Sequence, residues 1–223
     1  MACWSAENAT NAYLRALNMG KGGREPDVSE FISAFAAGNN AQLMVMASSG
    51  ATDEDASMAL ALVAAAHQTN GRVVIILSSF QELQVYRSSL GPHASLIEFL
   101  TGDPATLLLD EVRGTDLVLI NCKSDLQKEV LDAVNRAATG AHVVGYNALH
   151  EGGDWSRRRR SRLADAQFLP IGEGLLLGRA AVNRKVGRHK KSSWVVKVDE
   201  LTGEEHVFRI VSPRSRGVIK AEA

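Results

Sequence analysis

Apolar positions along the chain fall into short continuous runs of strand length, separated by longer segments in which apolar residues recur at helical spacing. Runs at 43–47, 72–77, 95–100, 116–121 and 141–147 read as five strands, and the segments at 82–90, 107–112 and 126–138 read as helices between them. Strands that alternate with helices in this way form a parallel sheet joined by right-handed crossovers. Two helices precede the sheet. Ser5 can cap the first, with Asn8 in the place of the usual Glu or Gln and Ala9, Tyr13, Leu14 and Leu17 on one face; the second follows Pro26, begins near Asp27 or Ser29, and buries Phe31, Ile32, Phe35 and Ala36. The last third changes character. A hairpin is expected over 168–180 around Gly172-Glu173-Gly174, a basic linker over 183–193, and a second hairpin from the runs 194–198 and 206–211. A lone hairpin is only marginally stable in water, so the second one should dock on the main sheet or on a partner.

The segment around which this pattern is organised is the first strand with the turn Ser48-Ser49-Gly50-Ala51 and the Ala/Leu/Met helix that follows. A strand, a tight small-residue loop and a helix open a crevice at the carboxyl end of a parallel sheet, where backbone N–H groups face a polar or anionic ligand. The other reading is a close strand-to-helix connection that holds no ligand. Asp53, Glu54 and Asp55 in the first helical turn compensate the helix dipole, and would repel a phosphate.

The chain has 223 residues, enough for one substantial core and an appendage, and 45% of them are hydrophobic. Its two cysteines, Cys3 and Cys122, form no CxxC pair or disulfide framework, which fits a reducing compartment. Cys122 reads as a small hydrophobe rather than a nucleophile, and His150 as a solvent-facing histidine near the crevice mouth. No segment has the length or apolarity of a membrane span, and the N-terminus lacks the pattern of a secretory signal. A soluble intracellular protein is expected. Formal charge balances at 25 basic against 25 acidic residues, but between Trp155 and Ser193 eleven basic residues face only Asp165 and Glu173. Arg157, Arg158, Arg159, Arg160, Lys190 and Lys191 mark two basic clusters that suit an acidic protein, a nucleic-acid backbone or a nuclear-import receptor; the other reading is a solvated insert. Localisation is therefore expected to be cytoplasmic, with the basic stretch as an element for nuclear entry. No base-reading motif accompanies it, since few aromatic residues interleave the basic ones.

Several motifs carry a resemblance. Gly145-Tyr146-Asn147 after the fifth run, and the hairpin FLPIGEGLLLGR, are similar to the GYDN motif and LPxGDGxxLxRR hairpin of plant O-methyltransferases of the caffeoyl-coenzyme A type. EFLTGDPATLL resembles the stretch flanking the adenine of S-adenosylmethionine in that superfamily, and TDLVLINCKSD resembles its FDxVFxDADK. This likeness covers about residues 27–182. The opening MACWSAENAT, the stretch AAGNNA and the tail WVVKVDELTGEEHVFRI resemble a plant family of uncharacterised function classed with Rossmann-like methyltransferase relatives. The resemblance implies a doubly wound α/β fold of class I methyltransferase type over residues 1–182, with two N-terminal helices, and a basic linker with an extra β-hairpin over 183–223. It also implies a cofactor site for S-adenosylmethionine at Ser48, Ser49, Gly50, Ala51, Ser78, Ser79, Asp103, Asn121 and Asn147.

The departures from the resembling enzymes bear on activity. No acidic residue ends the first strand, and Leu77-Ser78-Ser79 stands where an acid would bind the ribose hydroxyls. Serine can hydrogen-bond a ribose, but a neutral bond is roughly half as strong as a charge-assisted one. Only Asp103 keeps its type. At the positions that hold a divalent cation in those enzymes stand Asn121, Asn147 and Ala148, a set of neutral groups ill suited to a hard ion. The expectation is a divergent methyltransferase-fold protein, with weak or no catalysis and no metal, that acts by binding. The alternatives are a working metal-independent methyltransferase, and nonspecific binding of nucleic acid or an acidic partner through the Arg-rich loop.

Overall fold

In a computed structural model of the protein, residues 4–19, 27–48, 50, 52–149, 163–180, 192–198 and 205–211 are described, the last two segments by backbone alone. Backbone contacts divide the chain into two compact units, Met1–Val182 and Asn183–Ala223.

Two helices lead into the first unit. Helix α1 (Ala6–Met19) starts at Ser5, whose hydroxyl accepts the Asn8 N–H at 3.2 Å. It buries Ala9, Ala12 and Ala16 rather than the larger residues expected, and Leu14 is 51% exposed. Small side chains let α1 lie close on its neighbours. Helix α2 (Val28–Gly38) opens with a reciprocal cap between Asp27 and Glu30 and buries Ile32 and Ala36.

Strands β1 (Leu43–Ser48), β2 (Arg72–Leu77), β3 (Ile97–Thr101), β4 (Leu117–Asn121) and β5 (His142–Tyr146) are parallel, in the spatial order β3-β2-β1-β4-β5. Strand β7 (Leu175–Arg179) runs antiparallel beside β5 and pairs on its other side with β6 (Ala164–Leu169), which closes a seven-stranded sheet. The central strands are apolar in their interiors, with polar residues only at their ends, because both faces are covered. Alternate residues such as Met44, Met46, Ile75, Leu119 and Val144 pack under α1, α2 and α3 (Asp53–Thr69), and α4 (Phe80–Leu90) joins this layer through Leu83, Tyr86 and Leu90. Val45, Val74, Ile76, Val118 and Ile120 pack on the other face, against α5 (Pro104–Asp110) and α6 (Gln127–Ala137). The fold is thus the expected doubly wound α/β sheet with two leading helices.

The first hairpin strand starts at Ala164 rather than 168, where it pairs with Arg179 at the far end of β7, and three other boundaries differ from expectation for local reasons. The apolar run near residue 95 starts as a 3-10 turn over Gly91–Leu96, with Pro92 in its first turn, and becomes strand only at Ile97. Helix α4 begins at Phe80 because Ser79 caps it, and α5 begins at Pro104 because Asp103 caps it and proline fits the first helical position. In the second unit, β8 (Ser192–Val198) and β9 (Glu205–Val211) form the expected antiparallel hairpin.

Candidate functional site: the carboxyl edge of the sheet

The parallel register brings Ser48, Leu77, Thr101, Asn121 and Tyr146 to one edge, so the residues following them share the crevice that the chain pattern anticipates. Of the nine candidate residues, Ser49 and Ala51 lie outside the described set, as do His150 and the clusters Arg157–Arg160 and Lys190–Lys191. The others are placed here, and most have side chains engaged with neighbours.

Ser48 is 1% exposed; its hydroxyl accepts from Tyr86 Oη at 2.8 Å and donates to the Gly50 carbonyl at 3.1 Å. Gly50 adopts φ +122°, which L side chains rarely adopt, and a Cβ there would meet no atom within 4 Å. Its backbone therefore borders open space. Ser78 is exposed, and its N–H donates to Glu82 Oε2 at 3.1 Å. Ser79 accepts the Glu82 N–H, and Asp103 accepts both the N–H (2.8 Å) and the hydroxyl (2.6 Å) of Thr106. That hydroxyl contact, aided by the amide, holds the Asp103 carboxyl below the usual carboxylate range. The acid carried over from the resembling enzymes is thus a helix cap in this chain.

A residue not among the candidates is the hub of the site. Asp55, in the first turn of α3 and 3% exposed, turns its carboxylate toward the ends of β4 and β5. Its Oδ1 accepts from Tyr146 Oη and, at 3.2 Å, from Asn121 Nδ2. Its Oδ2 accepts from the Thr52 hydroxyl at 2.8 Å and the Thr52 N–H at 3.2 Å, while Thr52 Oγ1 accepts the Asp55 N–H at 3.1 Å. The expected role of Asp55 as a dipole-compensating acid is therefore only part of what it does. Asn121 Oδ1 in turn accepts from Asn147 Nδ2 at 3.2 Å and from the Lys123 N–H at 3.0 Å. Asn147 sits at φ +60°, where asparagine is tolerated better than most residues. Two signals in the chain point to this hub: the Thr-x-x-Asp spacing at 52–55, which is a capping pattern, and a tyrosine closing an otherwise apolar strand.

The electrostatics follow from burial. The Tyr146 hydroxyl is held well above the ordinary tyrosine range, first by burial and then by the Asp55 charge it meets. Burial likewise raises Tyr86, in spite of its bond to Ser48. Both therefore remain neutral donors at physiological pH, and neither can act as a general base. Cys122 is buried, 2% exposed.

The residues present do not suit a divalent ion. The Asn121 oxygen already accepts two N–H groups, which fill its two acceptor sites. The Asp55 carboxylate is shared among three donor residues. Among the described residues no group of three or more His, Cys, Asp or Glu side chains could hold a metal. The fit to S-adenosylmethionine is also incomplete. Gly50 leaves room for a ligand, but the side chains of Ser48, Ser79, Asp103, Asn121 and Asn147 are all bonded to neighbours.

Comparison with solved structures agrees with this architecture. A methyltransferase from Geobacter sulfurreducens matches at TM-score 0.53 and 22% identity, over 79% of this chain and 90% of that one. A putative caffeoyl-CoA O-methyltransferase from Staphylococcus aureus matches at TM-score 0.56 and 12% identity, over 79% and 93% of the two chains. A methyltransferase from Podospora anserina, solved with S-adenosylhomocysteine bound, matches at TM-score 0.56 and 12% identity, over 80% and 90%. At these identities the likeness shows the fold, which is the Rossmann-like fold of S-adenosylmethionine-dependent O-methyltransferases. No curated protein matches the chain. Among the described residues no helix is long and apolar enough to cross a membrane. The profile of the family described as "Protein of unknown function (DUF1442)" matches residues 1–210, and the chain belongs to that family.

Proposed function

We propose that this is a methyltransferase-fold binding protein that takes S-adenosylmethionine weakly and transfers no methyl group. The observation that supports this reading is the bonding of the strand-end side chains to one another through Asp55, Tyr146, Asn121 and Asn147. A ligand that uses these groups must first break bonds that are already made in a buried setting, so its net gain is small. Asp53, Glu54 and Asp55 at the start of α3 also oppose an anionic ligand there. Among the described residues metal-assisted deprotonation of an acceptor hydroxyl has no donor set to support it, and the two tyrosines stay protonated and cannot serve as the base instead. Where a crevice ligand does bind, Ser78, the Gly50 backbone and the exposed Asp103 carboxylate, which keeps acceptor capacity beyond its Thr106 bonds on Oδ2, are the contacts nearest to hand.

The test is turnover. The purified chain is incubated with S-adenosylmethionine and catechol-type acceptors, with magnesium or with a chelator, and S-adenosylhomocysteine is measured. We expect no release above the uncatalysed rate in either condition. Magnesium-dependent release abolished by Asn121→Ala would show an active enzyme instead, and chelator-resistant release lost in Asp103→Ala would show a metal-independent one.

The charge pattern supports a second reading that is compatible with the first. We propose that the stretch containing Arg157, Arg158, Arg159, Arg160, Lys190 and Lys191 binds phosphate backbones or acidic proteins without sequence preference. A reporter fused to 157–191 should enter the nucleus, and cytoplasmic exclusion of the fusion would argue for a solvated insert.

A further inference from the structure

We propose that the opposite edge of the sheet carries a second ligand site, in which Arg179 and His142 take the carboxylate of a small zwitterion and Asp116 takes its ammonium group. A cavity of about 270 Å3 lies there, lined by Asn39, Asp116, Thr139, His142 and Arg179 among others. Its size falls just below the range of drug-sized pockets, about 300–1,000 Å3, and suits a smaller ligand of amino-acid dimensions.

The three charged or titratable groups are held on rigid strand ends. His142 pairs across the sheet with Arg179 of β7 on one side and Leu117 of β4 on the other, and Asp116 immediately precedes Leu117. The backbone N–H of His142 donates to the Asp116 carbonyl at 2.8 Å. The Asp116 carboxylate is fixed by the N–H groups of Gln42 (2.9 Å) and Leu43 (3.0 Å), and both bonds fall on Oδ2, so Oδ1 is available to a cation. The Phe35 ring meets the imidazole edge-on at a centroid distance of 5.2 Å, which limits its rotation. Such support from packing and backbone bonds is what a binding constellation requires.

Arg179 Nη2 lies 3.0 Å from His142 Nε2. Guanidinium only donates, so His142 accepts through Nε2 and carries its proton on Nδ1. This arrangement spends one N–H of the guanidinium and leaves the others for a ligand. The His142 ring is held neutral by burial and by the Arg179 charge, against the opposing pull of Asp116. A carboxylate placed beside Arg179 would offset that charge and let His142 protonate and donate as well. Asp116 would repel a plain anion, whereas a zwitterion satisfies both signs. Arg179 and Leu117 are two strand spacings apart, about 10 Å at the backbone. Because β5 lies between the two charged residues and the Asp116 carboxylate leans toward β1 through its bonds to Gln42 and Leu43, a probe with its charges on a short flexible chain, such as γ-aminobutyrate, is suited to reach both.

The experiment follows the His142 ring resonances, assigned with His142→Gln, while γ-aminobutyrate, butyrate and butylamine are titrated into the full chain. We expect saturable shifts with γ-aminobutyrate, at least tenfold weaker binding of butyrate and of butylamine, and a His142 pKa that rises when γ-aminobutyrate is bound. Arg179→Gln alters an exposed side chain, and Asp116→Asn keeps an acceptor for Gln42 and Leu43; each should lower affinity at least tenfold. Unshifted His142 resonances, butyrate binding as tight as γ-aminobutyrate, or undiminished affinity in Arg179→Gln would overturn the proposal.

Discussion

Asp55 shows how much one side chain decides at this edge. It is a buried carboxylate whose stability depends on the donors around it, and the Tyr146 hydroxyl is one of them. Tyr146→Phe removes a bond to a charged group and should lower the unfolding free energy by about 1.5–3 kcal/mol. Tyr86→Phe removes a bond between neutral hydroxyls and should lower it by only about 0.5–1.5 kcal/mol. Urea unfolding of the two variants measures the difference; equal losses would mean that Asp55 does not depend on Tyr146. His142 supplies a pH dependence of definite sign. Its pKa in the fold lies below the ordinary 6.5, so the unfolded chain binds the extra proton first as pH falls. Stability should be full above about 6.5 and should decline as pH drops from there toward the folded value. His67, also lowered by burial, adds to the same trend. His142→Gln should flatten the profile, as read from denaturation midpoints between neutral and mildly acidic pH.

At the scale of elements, contact between α1 and α2 depends on a missing side chain. The Trp4 ring lies over Gly38, where an added Cβ would come within 2.2 Å of it, and the Ser5 N–H donates to the Gly38 carbonyl at 2.8 Å. Gly38→Ala should therefore lift the half-exposed Trp4 ring off the helix and red-shift its fluorescence, while stability changes by less than about 1 kcal/mol, since the ring can move aside and alanine favours the helix. Unchanged emission would show that the ring does not pack on Gly38. The parallel strands and most helices of this fold are legible in the chain, because four of the five runs are almost wholly buried and such apolar runs have few other ways to fold. The beginnings of α4 and α5 are not, for a chemical reason. Ser79 and Asp103 are residue types that cap helices and also bind ligands, and only the positions of Glu82 and Thr106 show the capping use. The Asp55 hub is harder still to foresee. Its partners Asn121 and Tyr146 are 66 and 91 residues away, and no local pattern links them.

At the scale of the whole molecule, a methyltransferase-type sheet presents, among the described residues, a carboxyl edge with few free side chains, and much of the positive charge lies outside the described residues. If the basic stretch meets phosphate backbones, binding to duplex DNA should fall steeply with salt, and changing Arg157 to Arg160 to alanine should weaken it equally across sequences. A salt-insensitive or sequence-selective interaction would contradict that reading. For the crevice the most direct measurement is a calorimetric titration of the wild-type chain with S-adenosylmethionine, once in excess chelator and once in magnesium. We expect a dissociation constant weaker than about 0.1 mM, which corresponds to less than about 5.5 kcal/mol of binding free energy, with the same value in both buffers. Micromolar affinity, or affinity that tightens with magnesium, would contradict a crevice whose polar groups are bonded to one another.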